Sequence, residues 1–387
     1  MHIFLQVVYY SIDNILGTLK SPIFWVVTAI IYFQYGKIAN MERDILGTNK
    51  KSPLYNTIVS IVFGLIGGVL GSIIFILSGT AINPKDFYLV LPLTLLLSLI
   101  HPRFMCFSYA AGIVSLISLI FGYNNMNVSS ILFVVGGLHL VESFLILVDG
   151  KRGKIPIFME REEEIVGGFV MNRFWPLPFN IFINNSYMYP VTVIAILGYG
   201  DYALTNYPEK KSIVTAGLLS IFSILLLLLS RLSIDYYIFK YIAAIFAPLG
   251  HEMTIILGKR IEERGEYIFK AASHGLKVLD VLPNSIGEAM DLNTGDVLLT
   301  LNGHRIYSKE AMEEILYFRP NYIWVDVFDI EKGLITKEYK DYQKGIRTLG
   351  LVVVSNSSRY GILVEEAKSP LRRWISKYKK KKARFRN

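Results

Sequence analysis

A series of long apolar segments, separated by short polar loops, fills most of the chain before residue 259. A helix needs about 20 mostly apolar residues to cross the hydrocarbon core of a bilayer. Seven segments are candidates for such spans: Pro22–Gly36, Tyr55–Gly79, Phe87–Ile100, Phe104–Tyr123, Val128–Val148, Tyr187–Leu204 and Ile213–Ser230. An eighth segment, Ile234–Gly258, is interrupted by Lys240, Pro248 and the pair His251-Glu252. The pattern predicts an α-helical polytopic membrane protein.

The composition agrees with a membrane protein. Hydrophobic residues make up 52% of the chain and charged residues 18%, whereas soluble domains carry about 25% charged residues. The chain has a single cysteine, Cys106, so an intramolecular disulfide is excluded and no C-x-x-C metal motif exists.

The N-terminal segment, residues 1–21, does not resemble a cleavable signal peptide. Its apolar part, Ile3–Leu16, lacks a basic start and a small-residue cleavage site, and Asp13 interrupts it. Apolar residues at helical spacing instead predict an interfacial or partly inserted helix.

Lysine and arginine residues are concentrated in the loops after the first, third and fifth spans. This bias places those loops in the cytoplasm. Residues 22–258 are then a transmembrane domain of seven to eight spans with a long loop at 149–185. Seven spans result if Ile234–Gly258 is re-entrant or interfacial, and eight if it crosses together with Ile3–Leu16. In both cases the C-terminus is predicted to be cytoplasmic.

The composition changes after Glu266, where alternating residues and turn signals indicate a small soluble α+β domain, residues 266–365. Gly275–Val281 alternates as a strand, and Ser285-x-x-Glu288 is a capping box that opens a short helix. Asn302-Gly303 predicts a tight hairpin, and Ser308 caps a helix that runs to about Phe318.

The segment Gly275–Gly303 resembles bacterial PDZ domains in the order and spacing of seven positions: Pro283, Ser285, Leu292, Gly295, Asp296, Asn302 and Gly303. The resemblance implies that a partner's C-terminal segment adds as a strand to an exposed sheet edge, next to a groove helix. The expected edge strand is Gly275–Val281, and the loop that captures the carboxylate is either His274-Gly275-Leu276 or Leu349-Gly350-Leu351. The candidate peptide-binding residues are Gly275, Leu276, Val278, Ala311, Ile315 and Gly350.

The whole architecture resembles the MinJ family of polytopic PDZ proteins, which act in Gram-positive division-site selection. The resemblance rests on the multi-span part, its start at Ile23–Lys37, the segment Ala247–Glu252 (APLGHE) and the single PDZ-like domain that follows. It implies a scaffold that recruits DivIVA-like and MinD-like partners, and a homo-oligomer is compatible with it.

Four polar residues lie in apolar surroundings and form a candidate intramembrane cluster: His139, Glu142, His251 and Glu252. Ionisable groups at membrane depth usually have a partner or a function. The alternative function is an intramembrane metalloprotease, or a degenerate relative that regulates one. That chemistry needs HExxH, and Ile255 stands where the second histidine would be. We therefore expect a hydrogen-bonded structural cluster, with no enzyme activity, metal or cofactor; the alternative for these residues is a non-catalytic metal site.

Ten basic residues and no acidic residue lie in 367–387, so the net charge of +9 belongs to this tail. Residues 366–387 are predicted to form a basic amphipathic helix that starts near Pro370 and binds anionic lipids of the inner leaflet; nucleic acid is not expected. The candidate lipid-binding residues are Arg372, Arg373, Lys377, Lys379, Lys380, Lys381 and Lys382.

Overall fold

The computed structural model describes residues 2–122, 126–161, 164–185, 187–329 and 332–354. It has a helical part that contains a long β-hairpin, followed by a sheet-containing C-terminal unit. The predicted basic tail, residues 366–387, lies outside the described residues.

The helical part contains eight α-helices within the described residues. They are α1 (His2–Thr18), α2 (Pro22–Leu46), α3 (Pro53–Leu77), α4 (Phe87–Ile100), α5 (Phe107–Phe121), α6 (Val128–Asp149), α7 (Pro208–Asp235) and α8 (Ile238–Arg264). In this part of the chain five of them, α2, α3, α6, α7 and α8, are long and apolar enough to cross a membrane. The last of these, α8, continues through Pro248 as one helix.

Helices α4 and α5 do not have the length of separate spans. They contain 14 and 15 residues, which corresponds to roughly 21–23 Å and falls short of the hydrocarbon core. The Sγ atom of Cys106, between the two helices, lies 3.0 Å from Nε2 of His139, near the middle of α6. At the other end, the Asn127 amide donates to Asp86 (3.3 Å). The two helices therefore form a re-entrant hairpin, in place of the third and fourth predicted spans.

The largest correction concerns residues 149–204, which were predicted to form a loop and a helical span at Tyr187–Leu204. Most of these residues form strands instead, β2 (Lys154–Arg161), β3 (Glu164–Asn185) and β4 (Tyr187–Ala203), and a short strand after α3, β1 (Ala81–Ile82), joins their sheet. Strand β4 pairs along its whole length with Phe169–Asn185 of β3 as an antiparallel hairpin. The helical prediction was wrong because an apolar run has the same composition in a buried strand as in a helix.

One edge of β3 pairs with β2 up to Met171 and with β1 from Phe182 onwards. Between these two neighbours, over residues 172–181, this edge has no strand partner. Backbone N–H groups buried away from water must be satisfied. On this edge, every second residue directs its N–H away from β4. Pro176 and Pro178 occupy two of these positions and have no N–H. Two of the remaining N–H groups donate to hydroxyl groups: Phe174 to Tyr35 (3.1 Å) and Asn180 to Ser72 (2.8 Å).

Small residues on α3 allow this helix to lie directly against β3. A Cβ atom added to Gly64 would overlap the carbonyl oxygen of Pro176, and one added to Gly68 would overlap that of Pro178. Helix and strand therefore approach to backbone contact. Gly67 and Gly71 continue this face along α3, where Gly67 lies against Leu177.

The C-terminal unit is a six-stranded sheet with two helices. Its strands follow the order β10-β9-β7-β6-β11, with β8 paired to β7. The elements are β6 (Leu276–Val281), α9 (Ile286–Ala289), β7 (Val297–Leu301), β8 (His304–Arg305), α10 (Lys309–Tyr317), β9 (Tyr322–Asp329), β10 (Gly333–Lys340) and β11 (Leu351–Val354). The predicted caps are confirmed, since the Ser285 and Ser308 side chains accept from the amides of Glu288 and Ala311.

Among the described residues, this unit contacts the helical part through a strand pair, an ion pair and an apolar cluster. A short strand, β5 (Phe269–Lys270), pairs with β3. Lys50, between α2 and α3, forms an ion pair with Asp280 of β6. A small apolar cluster contains residues of both parts: Phe169, Phe269, Leu279 and Val354. The unit therefore lies at the end of the helical part where α2 ends and α3 begins.

Candidate functional site

Strands β10 and β11 form the two edges of the sheet in the C-terminal unit, and the strand expected from the sequence is at neither edge. Strand β6 pairs with β7 on one side and with β11 on the other. Its residues Leu276 and Val278 are fully buried in the core of the unit. Within the described residues β11 has a strand partner only on the side of β6. The prediction of Gly275–Val281 as the edge strand was wrong, because Leu351–Val354 adds one more strand beyond it.

The two candidate carboxylate loops occupy different places. Gly275 has φ +92° and lies against the carbonyl of Leu298, so it belongs to the β6–β7 contact. Gly350 has φ +68° and directly precedes β11. The loop 349–351 is fixed by two backbone hydrogen bonds, from Gly287 to the Leu349 carbonyl (2.7 Å) and from Leu282 to the Gly350 carbonyl (2.9 Å). Of the two, the loop at Gly350 is the one at the start of an edge strand.

Helix α10 supplies the other candidate groove residues. Met312 and Leu316 are buried, whereas Ala311 and Ile315, one turn apart, are partly exposed. Ile315 of α10 and Leu351 of β11 both pack against the core of the C-terminal unit.

Two basic side chains in this unit, Lys277 and Arg347, differ in whether they can contact a ligand. Burial lowers the pKa of Lys277, and its ammonium group donates to the Ile268 carbonyl (2.9 Å). Arg347 is exposed and lies three residues before Gly350. Arg347 is therefore the cation that can face a ligand at this loop.

The candidate intramembrane cluster lies where α5 packs on α8. Pro248 interrupts the hydrogen bonding of α8, because proline has no N–H to donate to the carbonyl of Ala244. Gly112 of α5 lies against Pro248 and this carbonyl. The Ser108 hydroxyl donates to the carbonyl of Ala247. Gly112 thus packs on the carbonyl that the proline leaves without its helical donor, and Ser108 links α5 to α8.

The structure brings His139 and His251 together, although they lie on different helices, α6 and α8. Their ring centroids are 5.1 Å apart, and Phe222 of α7 packs edge-on against both rings, at 5.4 and 5.7 Å. Cys106 completes the group, and the ligand atoms of the three residues lie within 4.8 Å of one another.

Glu252 joins this group through a tyrosine. The hydroxyl of Tyr109 donates to Glu252 (2.6 Å) and lies 3.3 Å from Nδ1 of His251. Arg103, at the tip of the re-entrant hairpin, forms an ion pair with Glu252 (3.1 Å). Glu142 lies one turn after His139 on α6, within electrostatic range of Cys106. We call Cys106, Tyr109, His139, His251 and Glu252 the polar cluster.

Sequence reasoning named both histidines and both glutamates but not Cys106 or Tyr109. The available signal was the position of the single cysteine, directly after the polar gap 101–103 between two apolar segments. Its approach to His139 depends on the re-entrant hairpin, which composition does not reveal.

The fold defines a multi-pass membrane protein with a sheet-containing C-terminal unit. No family model matches the chain. The chain is 22% identical over 208 residues to the cell division topological determinant MinJ of Bacillus subtilis (strain 168). The aligned region is 49% of this chain and 52% of MinJ, so the chain spans about half the length of this curated relative.

Proposed function

We propose that the protein is a division-related membrane adaptor whose C-terminal unit is a PDZ-like domain that recruits partner proteins from the cytoplasm. The observation that carries this proposal is the edge strand β11, which begins at the glycine loop 349–351 and shares a core with α10. The similarity to MinJ, a cell division topological determinant, supports the cellular role.

In this proposal a partner's C-terminal segment adds as a strand to β11 and its carboxylate meets the loop at Gly350. Main-chain hydrogen bonds then supply affinity, and side-chain pockets supply specificity. The partly exposed Ala311 and Ile315 would contact the last apolar side chain of the partner, and Arg347 would attract the carboxylate. The resemblance of the sequence to the MinJ family makes DivIVA-like and MinD-like proteins the first partners to test.

The distribution of basic residues supports a cytoplasmic C-terminal unit. Residues at the end of the helical part next to this unit include Lys50, Lys51, Lys151, Arg152, Lys154, Arg161, Lys210, Lys211, Lys259, Arg260 and Arg264. The opposite end has Lys20, Lys85, Arg231 and Lys240. Loops rich in lysine and arginine stay in the cytoplasm. The basic tail would then reach the inner leaflet, where each cation contributes about 1 kcal/mol of attraction to anionic lipid.

A reporter fusion tests the orientation. Alkaline phosphatase, which folds only outside the cytoplasm, should be inactive when fused after Asn387. The same reporter fused to a chain that ends after Lys85 should be active, because the segment after α3 lies at the opposite end of the helical part. The reverse pattern of activity would contradict the proposed orientation.

Ile315→Lys tests the groove. A charge at this partly buried position would lie against the docked strand without a partner, at a cost of about 1–3 kcal/mol. We expect peptide affinity to fall by roughly 10- to 100-fold. The measurement is fluorescence anisotropy of the full chain in detergent with a library of peptides that carry a free C-terminal carboxylate.

Two controls sharpen this result. Tyr317→Lys adds the same charge to α10 at a side chain that is 81% exposed, and should bind as the wild type does. The same peptides with an amidated C-terminus should bind weakly. Equal binding by the Ile315→Lys and wild-type chains, or equal binding of amidated and free peptides, would argue against a PDZ-like groove.

The proposal assigns no catalysis to the polar cluster. The pair His251-Glu252 is followed by Ile255, where the HExxH motif requires a second histidine on the next turn. Glu252 also interacts with Arg103 and Tyr109, so its carboxylate is held by two groups and is not directed at a free water position.

A further inference from the structure

The hydrogen bonds of His139 fix which of its ring nitrogens carries the proton. Nδ1 lies 2.7 Å from the carbonyl oxygen of Val135. A carbonyl can only accept, so Nδ1 must carry the hydrogen and donate it. The lone pair is then on Nε2, which is the atom 3.0 Å from the sulfur of Cys106. Metal-binding histidines are commonly oriented in this way, by donation from the other ring nitrogen to a carbonyl or carboxylate.

His251 is oriented by a relay of the same kind. The Tyr109 hydroxyl donates to the carboxylate of Glu252 (2.6 Å), so its oxygen is left to accept from Nδ1 of His251 (3.3 Å). Arg103 holds the other oxygen of Glu252 (3.1 Å). This chain leaves Nε2 of His251 unprotonated and able to act as a ligand.

The three ligand atoms have a spacing close to that of a metal site. One sulfur or ring nitrogen from each residue lies within 4.8 Å of those from the other two. Zinc binds thiolate at about 2.3 Å and imidazole at about 2.0–2.1 Å, which places the ligand atoms of a tetrahedral site roughly 3.5 Å apart. Side-chain adjustments of about an ångström would therefore close the site.

We propose that the Cys106 thiolate and the Nε2 atoms of His139 and His251 bind one zinc ion. One thiolate and two imidazoles are the ligand types that zinc prefers. Binding releases the thiol proton to solvent. The fourth position is left for water or for the carboxylate of Glu142, one turn along α6. With a thiolate and this carboxylate nearby, the two charges of the cation are balanced within the apolar surroundings.

The site would act as a clamp inside the membrane part. Cys106 lies at the tip of the re-entrant hairpin, His139 near the middle of α6 and His251 near the middle of α8. One ion would therefore fix the hairpin to two helices, one of which leads directly into the C-terminal unit. This role is independent of peptide binding at β11.

Elemental analysis and cobalt substitution of the full chain test the proposal. The protein is purified in detergent through a tag without histidine. We expect about one zinc per chain, and loss of most of it in Cys106→Ser and His139→Gln variants. A His304→Gln variant, at an exposed histidine of the C-terminal unit, should retain the metal. Exchange for Co²⁺ should give a near-ultraviolet charge-transfer band from thiolate to cobalt.

The cobalt spectrum keeps the test decisive even if the variants fail to fold. Because Cys106 is the single cysteine of the chain, a thiolate band in the wild-type protein can arise only from this residue. The metal-loaded wild type should also react with a maleimide at least tenfold more slowly than after chelation. The proposed site would be overturned if folded wild-type protein showed no thiolate band with cobalt. It would also be overturned if the Cys106→Ser variant retained its zinc.

Discussion

Replacing Gly68 by leucine should prevent the membrane part from folding. A Cβ atom at this position would overlap the backbone oxygen of Pro178, and moving α3 away from β3 to relieve the overlap would break the hydrogen bond from the Asn180 amide to Ser72. Overpacking in cores costs about 1–3 kcal/mol where side chains can adjust, and a backbone obstacle should exceed this range. We expect almost no monodisperse protein after detergent extraction, measured by fluorescence-detected size exclusion.

Gly217→Leu is the matched control for this change. Gly217 lies on α7 with no atom near its Cβ position, so the same side chain would extend into open space. Its yield and elution volume should equal those of the wild type. If Gly68→Leu also behaved as the wild type does, the direct contact between α3 and β3 would be incorrect.

The hairpin β3–β4 shows where sequence reasoning failed. Its second strand is as apolar as a span, and length and hydropathy alone gave it the wrong secondary structure. Local residues carried the correct signal. Pro176 and Pro178 cannot lie inside a regular helix without breaking it, and the β-branched run after Pro190 favours a strand. The partners on α3, Gly64 and Gly68, could be interpreted only once the strand was known.

The C-terminal unit was more predictable, because its signals are local. The capping serines and the Asn302-Gly303 turn depend on neighbouring residues, and the structure has each of them. The position of the edge was not predictable in this way. It depends on β11, a four-residue strand that pairs with β6 from more than 70 residues away, so the pairing is a tertiary event.

The polar cluster contains some residues that the sequence identified and others that it did not. Isolated ionisable residues in apolar segments identified His139 and His251 as a pair. Cys106 and Tyr109 are uncharged at neutral pH and do not stand out in an apolar segment. They reach the histidines because the hairpin of α4 and α5 turns back within the membrane, which depends on helix length and packing.

Asp149→Asn should destabilise the protein by about 3–5 kcal/mol, the usual cost of removing one partner from a buried ion pair. Asp149 and Arg173 are both fully buried, with Nε of Arg173 2.7 Å from the carboxylate and Nε1 of Trp175 2.9 Å from it. The substitution leaves the guanidinium charge without a counter-charge in the interior. The measurement is the midpoint of unfolding in mixed detergent, followed by tryptophan fluorescence.

Two further variants test whether Asp149→Asn destabilises the protein through the unpaired charge of Arg173 or through the loss of contacts alone. Arg152 also contacts Asp149 (3.0 Å), but its side chain is 51% exposed, so Arg152→Gln should cost less than about 1 kcal/mol. Combining Asp149→Asn with Arg173→Met removes both charges and should recover part of the stability, because an apolar replacement of a buried pair is often well tolerated. If the double variant were less stable than Asp149→Asn alone, packing by Arg173 against Tyr35, and not its charge, would be the dominant contribution of that side chain.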